Sequence, residues 1–289
     1  MKSIWFSVVI ALTIIGVSTP AFAIPIYVVD DSLSGGGYSS KIVVMESEAP
    51  HSEVTLNAGT GRRMTDIAIT PSGSRLYTIT SDGSTSLYRF DVSTGLQLNS
   101  WNLGIGDTGF KNALVAKDET SLLFMSNTRT HIWQVNLDAA GNFVNTVDLG
   151  DLGLYSAGDL AVSPVTGELY LSSVVNSPTA INRLYKINFG SLSTTLIGTI
   201  HEGGLNLTQI YGLAFDENGI LYGGRGAWGV AEDVYTISLL DASATYGWTM
   251  QCVPPTGING FASVPEPATI ALLGFGTLSL VTRRRTLPR

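Results

Sequence analysis

Charge is scarce in this chain: only 13% of its 289 residues are Asp, Glu, Lys or Arg. Basic residues are scarcer still where it matters. Lys2, Arg283, Arg284, Arg285 and Arg289 take five of the 16, and all 23 acidic residues lie between them. The stretch between the two ends therefore holds 11 basic against 23 acidic residues, a net charge of −12. An acidic surface repels phosphate backbones, which argues against a nucleic-acid partner. Cysteine is nearly absent: Cys252 stands alone. One cysteine excludes an intramolecular disulfide and reads as a small buried hydrophobe, so a large core must hold the domain. The three histidines, His51, His131 and His201, are scattered and lack metal-ligand spacing. There is no HExxH, no Gly-x-Ser-x-Gly and no P-loop, so no standard catalytic signature is present. Gly35-Gly36-Gly37 follows an apolar strand pattern but opens no helix. It reads as a hairpin tip rather than a phosphate cradle.

What is present is strongest at the two ends. Lys2 precedes a nearly unbroken apolar run, residues 4–17, and Ala21-Phe22-Ala23 supplies the small-x-small pattern that signal peptidase accepts. Residues 1–23 read as a cleaved secretory signal; a retained anchor is the alternative, for which the run is short. At the other end Val264-Pro265-Glu266-Pro267 precedes 15 residues without charge, 268–282, and then Arg283-Arg284-Arg285. A full span takes about 20 apolar residues, and snorkelling arginines make up part of the deficit. The arginines fix that end on the cytoplasmic side, leaving the preceding domain outside the inner membrane.

This order of motif, apolar helix and arginine cluster resembles the PEP-CTERM sorting signal of Gram-negative bacteria. The resemblance covers residues 264–289. It implies recognition by an exosortase, a membrane cysteine transpeptidase-like enzyme, at Pro265-Glu266-Pro267. It also implies transient anchoring in the inner membrane, then a place at the cell surface or in exopolysaccharide. An ordinary tail anchor is the alternative, but it has no use for Pro-Glu-Pro.

The middle, 24–263, repeats itself. Asp66-Ile-Ala-Ile-Thr-Pro-Ser-Gly-Ser-Arg-Leu-Tyr77 returns as Asp159-Leu-Ala-Val-Ser-Pro-Val-Thr-Gly-Glu-Leu-Tyr170 and as Gly212-Leu-Ala-Phe-Asp-Glu-Asn-Gly-Ile-Leu-Tyr222. A weaker copy runs from Ala113 to Phe124. The aromatics Tyr77, Phe124, Tyr170 and Tyr222 stand 47, 46 and 52 residues apart. Tyr88, Trp133, Tyr185 and Tyr235 stand 45, 52 and 50 apart. Counting backward lands on Tyr27 and Val43, inside two further strand patterns that lack a first strand. Gly260-Phe261-Ala262-Ser263 supplies it from the other end of the chain. Fourth strands are expected over 97–103, 143–149, 194–200 and 246–253. Four strands per unit of about 48 residues describe a β-propeller blade. The expectation is an all-β propeller of five four-stranded blades, closed by a C-terminal strand and removing open edges. A β-sandwich or β-helix is the bland alternative. The repeated motif resembles YVTN and WD40-like propeller repeats.

Two sets of residues carry functional expectations. Asp66 and Asp159 open inner strands, with Asn112 beside the corresponding start in the second copy. Oxygens converging in a propeller channel could hold Ca²⁺, as in calcium-dependent propeller hydrolases; the competing reading is that they satisfy backbone N–H groups. The aromatics that keep step with the repeat read as packing between blades. Trp101, Trp228 and Trp248 fall outside the rhythm. Trp228, in the inserted loop Gly224-Arg-Gly-Ala-Trp-Gly229, is the candidate for stacking on sugar rings. The expected function is a binding or scaffold module in exopolysaccharide or biofilm, with signal peptidase, exosortase and matrix components as partners. An exported metal-dependent propeller hydrolase or lactonase is the alternative.

Overall fold

In a computed structural model the structure describes residues 24–34, 37–57, 59–80, 84–106, 109, 111–156, 158–174, 181–226, 232–251 and 257–264. The expected signal peptide with Ala21 and Ala23, the tail with Pro265, Glu266, Pro267 and Arg283 to Arg285, Trp228 and Cys252 lie outside the described residues.

Five four-stranded antiparallel sheets make up the fold. Blade 1 contains β1 (Pro25–Ser34), β2 (Gly37–Glu46) and β3 (Glu53–Asn57). Blade 2 is β4 (Met64–Ile69), β5 (Leu76–Thr80), β6 (Ser86–Phe90) and β7 (Gln97–Asn102). Blade 3 is β8 (Ala113–Asp118), β9 (Ser121–Met125), β10 (His131–Leu137) and β11 (Phe143–Asp151). Blade 4 is β12 (Leu160–Val162), β13 (Leu169–Val174), β14 (Asn182–Asn188) and β15 (Ser193–Thr199). A small hairpin follows, β16 (His201–Glu202) with β17 (Leu205–Asn206). Blade 5 is β18 (Ile210–Phe215), β19 (Leu221–Arg225), β20 (Asp233–Ile237) and β21 (Ala244–Thr249). The last strand, β22 (Ile258–Ser263), returns to blade 1 and pairs antiparallel with β1, Tyr27 opposite Ala262 and Val28 opposite Phe261.

The innermost strands β4, β8, β12, β18 and β22 touch in sequence, and β22 touches β4 again, so the ring is closed. The propeller of five blades and the closing strand match the expectation. The 52-residue spacing between Tyr170 and Tyr222 has its cause in the β16–β17 hairpin, which the strand pattern did not foretell. Ser34 pairs with Gly37 at the end of the β1–β2 ladder; Gly35 and Gly36, read from the sequence as a hairpin tip, lie outside the described residues.

Packing explains the composition. Among the described residues there are five apolar clusters, one between each pair of neighbouring blades. Every blade is thus sandwiched on both faces. Middle strands β5, β9 and β13 are buried at every position, whereas outer strands such as β7 and β11 carry the polar and exposed residues. A strand covered on both faces reads as a continuous apolar run rather than an alternation. Tyr88, Trp133 and Tyr235 are buried in three different interfaces; Tyr185 is half-buried. Trp133 stacks on Phe124 at 5.4 Å. Blade 5 has Gly224 where its siblings have larger residues, and Gly212 where blades 2 and 4 have aspartate, for a reason visible in the packing. A Cβ on Gly212 would lie 2.6 Å from the Phe261 ring, and one on Gly224 would lie 2.3 Å from it. The closing strand's phenylalanine fills the space those glycines leave.

Candidate functional site

The repeat places Asp66 in β4 and Asp159 immediately before β12, where the inner strands begin. Both are wholly buried, and their carboxyl groups face one another within hydrogen-bonding reach at the centre of the ring. Asp66 Oδ1 accepts the Ile67 N–H (2.7 Å), and Oδ2 accepts the Leu114 N–H of β8 (2.8 Å). Asp159 Oδ1 accepts the Leu160 N–H (2.6 Å). Its Oδ2 accepts two, from Leu213 of β18 (2.7 Å) and Phe261 of β22 (3.2 Å). Asp66 therefore ties β4 to β8, Asp159 ties β12 to β18 and β22, and the carboxyl contact joins the two sets. All five inner strands are riveted at one point.

Two carboxyls in a dry site cannot both ionise cheaply. Burial pushes Asp66 well above the carboxylate range, and the facing Asp159 pushes it further. Burial likewise raises Asp159, to about 8, against the lowering pull of the backbone N–H groups. The pair keeps a proton at neutral pH.

Immediately beneath this rivet the channel opens into a cavity of about 690 Å³, on the face where the inner strands end. Leu114, Leu160, Leu213 and Phe261, whose backbones hold the aspartates, also line it. So do Ala68, Ala116, Ala161, Ala214 and Ala262, contributed by all five blades. Ser72, Lys117, Ser163 and Glu217 stand among the polar lining. The alanine of the repeated Ile-Ala-Ile, Leu-Ala-Val and Leu-Ala-Phe segments was a signal for this cavity: a small residue recurring on every inner strand leaves room at the axis.

The sequence-derived metal candidates divide. Asp66 and Asp159 converge, but all four of their oxygens accept backbone N–H groups, as the competing reading held. Ca²⁺ takes six to eight oxygen ligands, and Gly212 and Gly260 stand at the corresponding starts in the other two blades. Asn112 is half-buried before β8, with Oδ1 buried and unpartnered; Asn127 Oδ1 and Ser156 Oγ are likewise unpartnered. Among the described residues no three His, Cys, Asp or Glu side chains are grouped to hold a metal ion. The histidines are dispersed: His131 meets Asp148 (2.9 Å), His201 the Thr199 carbonyl (2.9 Å), and His51 stacks on Trp248 at 3.9 Å. That stack, with Tyr222 edge-on at 5.9 Å, occupies Trp248. Trp101 packs partly buried against the cluster between blades 2 and 3.

The chain leaves the domain at the cavity's edge. Ser263 lines the cavity and its hydroxyl donates to the Phe215 carbonyl. Val264 packs into the cluster between blades 1 and 2, so close to Gly73 that a Cβ there would lie 3.0 Å from its Cγ1. From here on, residues 263–285 match the family model of the PEP-CTERM protein-sorting motif. The chain is a propeller with a sorting tail. The motif implies an exported protein, held by its C-terminus in the membrane until an exosortase processes it. Among the described residues no helix is long and apolar enough to cross a membrane.

A solved structure bears out the fold. TolB from Acinetobacter baumannii is similar at 13% identity, with a TM-score of 0.52 over 84% of this chain and 67% of that one. A putative 6-phosphogluconolactonase from Bacteroides fragilis is similar at 12% identity, with a TM-score of 0.48 over 85% of this chain and 99% of that one. No curated protein matches the sequence.

Proposed function

We propose that the exported domain is a binding module of the cell surface or extracellular matrix, carrying no catalytic centre, and that exopolysaccharide is its ligand. The observation that supports this reading is the exit point of the tail. Val264 leaves from the face where the inner strands end, so an anchored or freshly sorted molecule presents its opposite face outward. That outward face carries the C-terminal end of β19 at Arg225 and the start of β20 at Asp233, and the sequence between them holds Trp228. A Trp in such a connection offers a flat apolar surface for sugar rings. The aspartates at the channel centre have their oxygens committed to backbone N–H groups, which leaves them structural work.

The test is retention of the processed protein on the producing organism's immobilised exopolysaccharide, read alongside tryptophan fluorescence. Saturable binding with a spectral shift is expected, weakened about tenfold or more by Trp228→Ala. Absence of retention would remove the polysaccharide reading. The alternative, a metal-dependent hydrolase or lactonase, draws on the meeting of Asp66 and Asp159. It requires those carboxyls to give up their backbone partners to a cation.

A further inference from the structure

The cavity face has features that outward display does not use. Val264 is packed on the domain, and the sorting motif begins at the next residue. Pro265, Glu266 and Pro267 reach at most about 11 Å even when fully extended. Any protein that acts on those three residues therefore meets this face. The face is shaped for contact. At its centre lies the apolar cavity of about 690 Å³, and around it exposed apolar side chains stand in the turns: Leu96, Val165, Ile220 and Leu240, the last 93% exposed. An open apolar hollow, with exposed Val165 between its lining residues Pro164 and Gly167, marks an interaction surface.

The rim is predominantly acidic. Glu48, Asp91, Glu119, Asp138, Glu168, Glu217 and Asp241 occupy its turns; of the cations there, Arg75 pairs with Glu119 and Lys186 with Glu168, Arg89 reaches the Ala140 carbonyl, and Lys117 lies over the Phe189 ring. Local hydrogen bonds hold this charge in place: hydroxyls and N–H groups of Ser93 and Thr94 bring Asp91 down to about 2, and those of Ser243 do the same for Asp241. An anionic lipid surface is repelled by such a rim. A protein surface with an apolar protrusion and basic surroundings fits it.

We infer that this face is a docking surface for the membrane enzyme that processes the sorting motif, with the cavity receiving an apolar protrusion of the enzyme and the acidic turns meeting basic groups around it. The domain thus takes part in its own sorting by fixing Val264, the residue before the motif, at the face the enzyme meets. This goes beyond the polysaccharide-binding reading and is independent of it; it rests on the sorting motif.

The experiment follows full-length protein in a host that carries the processing enzyme. The ratio of cut to uncut C-termini is measured against time by intact mass. Leu240→Arg combined with Val165→Arg, both in exposed turns, places like charge against the proposed basic surroundings. Cutting about tenfold slower is expected, with an unchanged melting temperature. A flexible Gly/Ser spacer of about ten residues between Val264 and Pro265 uncouples motif from face. The spacer protein is expected to be cut more slowly than the native spacing and to be indifferent to the two arginines. Equal rates for wild type and the arginine variant would overturn the inference, as would faster cutting on spacer insertion, which would make the face an obstruction. Flotation of the processed protein with phosphatidylethanolamine and phosphatidylglycerol vesicles would also overturn it, since lipid would then be the partner. A wild-type chain that is never cut would sink the sorting itself, leaving polysaccharide binding to be judged on its own assay.

Discussion

Gly260 of the closing strand lies against the carboxyl group of Asp66: a Cβ on Gly260 would sit 1.8 Å from Asp66 Oδ1 and 2.7 Å from its Cγ. The closing strand therefore fits the ring only because one of its residues has no side chain. The closure of the propeller and the rivet at its centre are one arrangement.

Gly260→Ala should displace Asp66 from its backbone partners. A loss of about 2–4 kcal/mol of unfolding free energy is expected, the range for overpacking plus broken buried hydrogen bonds. Gly106→Ala is the control, since nothing lies within 4 Å of a Cβ built there. Urea unfolding of the two variants beside wild type checks this; equal midpoints for both would contradict it.

The aspartate pair predicts an unusual pH dependence. In the unfolded chain both carboxyls lose their protons near pH 4, while the folded pair retains a proton well above that. Between these limits the folded state binds more protons than the unfolded one, so stability falls as pH rises. The slope approaches about 1.4 kcal/mol per pH unit for each proton retained, and the window runs from about pH 4 up to the raised value near 8 for Asp159. Exposed Asp91 and Asp241 have depressed values near 2, so their stabilisation is lost only below this window. Urea midpoints measured from pH 5 to 9 should decline, and Asp66→Asn should flatten the decline. A wild-type profile flat across this range would show that the pair does not hold its proton.

Phe261 is buried in the interface between blades 5 and 1, filling the space beside Gly212 and Gly224. Phe261→Ala should cost about 3–5 kcal/mol, the range for a large buried aromatic. Removing residues 257–264 altogether should do more: it strips β1 of β22, one of its two partners, and leaves an open sheet edge. Size-exclusion chromatography of that truncation is expected to show association; a stable monomer would mean that closure matters less than the geometry implies.

Calorimetric titration with Ca²⁺ is expected to give no heat and no rise in melting temperature, because the carboxylate oxygens at the centre already accept backbone N–H groups. Stoichiometric binding abolished by Asp159→Asn would revive the hydrolase reading.

Much of this architecture was legible in the sequence, because a ring of equal blades writes its period into the chain. Tyr77, Phe124, Tyr170 and Tyr222 keep step because each occupies the second strand of its blade. Tyr27 and Val43 fit only when Ser263 and its neighbours are brought round to complete blade 1. Asp66 and Asp159 were visible as recurring residues at inner-strand starts. Their meeting was not, since blades 2 and 4 are not neighbours and only a ring narrow enough at its axis brings them together. The cavity was hidden for a related reason. Ala68, Ala161, Ala214 and Ala262 look unremarked one at a time, and the hollow exists only when five strands converge. Trp101 and Trp248 fell outside the rhythm and looked free for a ligand, yet neighbouring blades and His51 cover them. Irregular spacing reports an insertion or a shifted register, not exposure.

The most direct test of the account is the mass of the exported protein's C-terminus. Wild type should end at or near Pro265–Pro267, just beyond the packed Val264, while Glu266→Ala should accumulate with its chain intact to Arg289. A wild-type protein that retains Arg289 at the cell surface would contradict the sorting account.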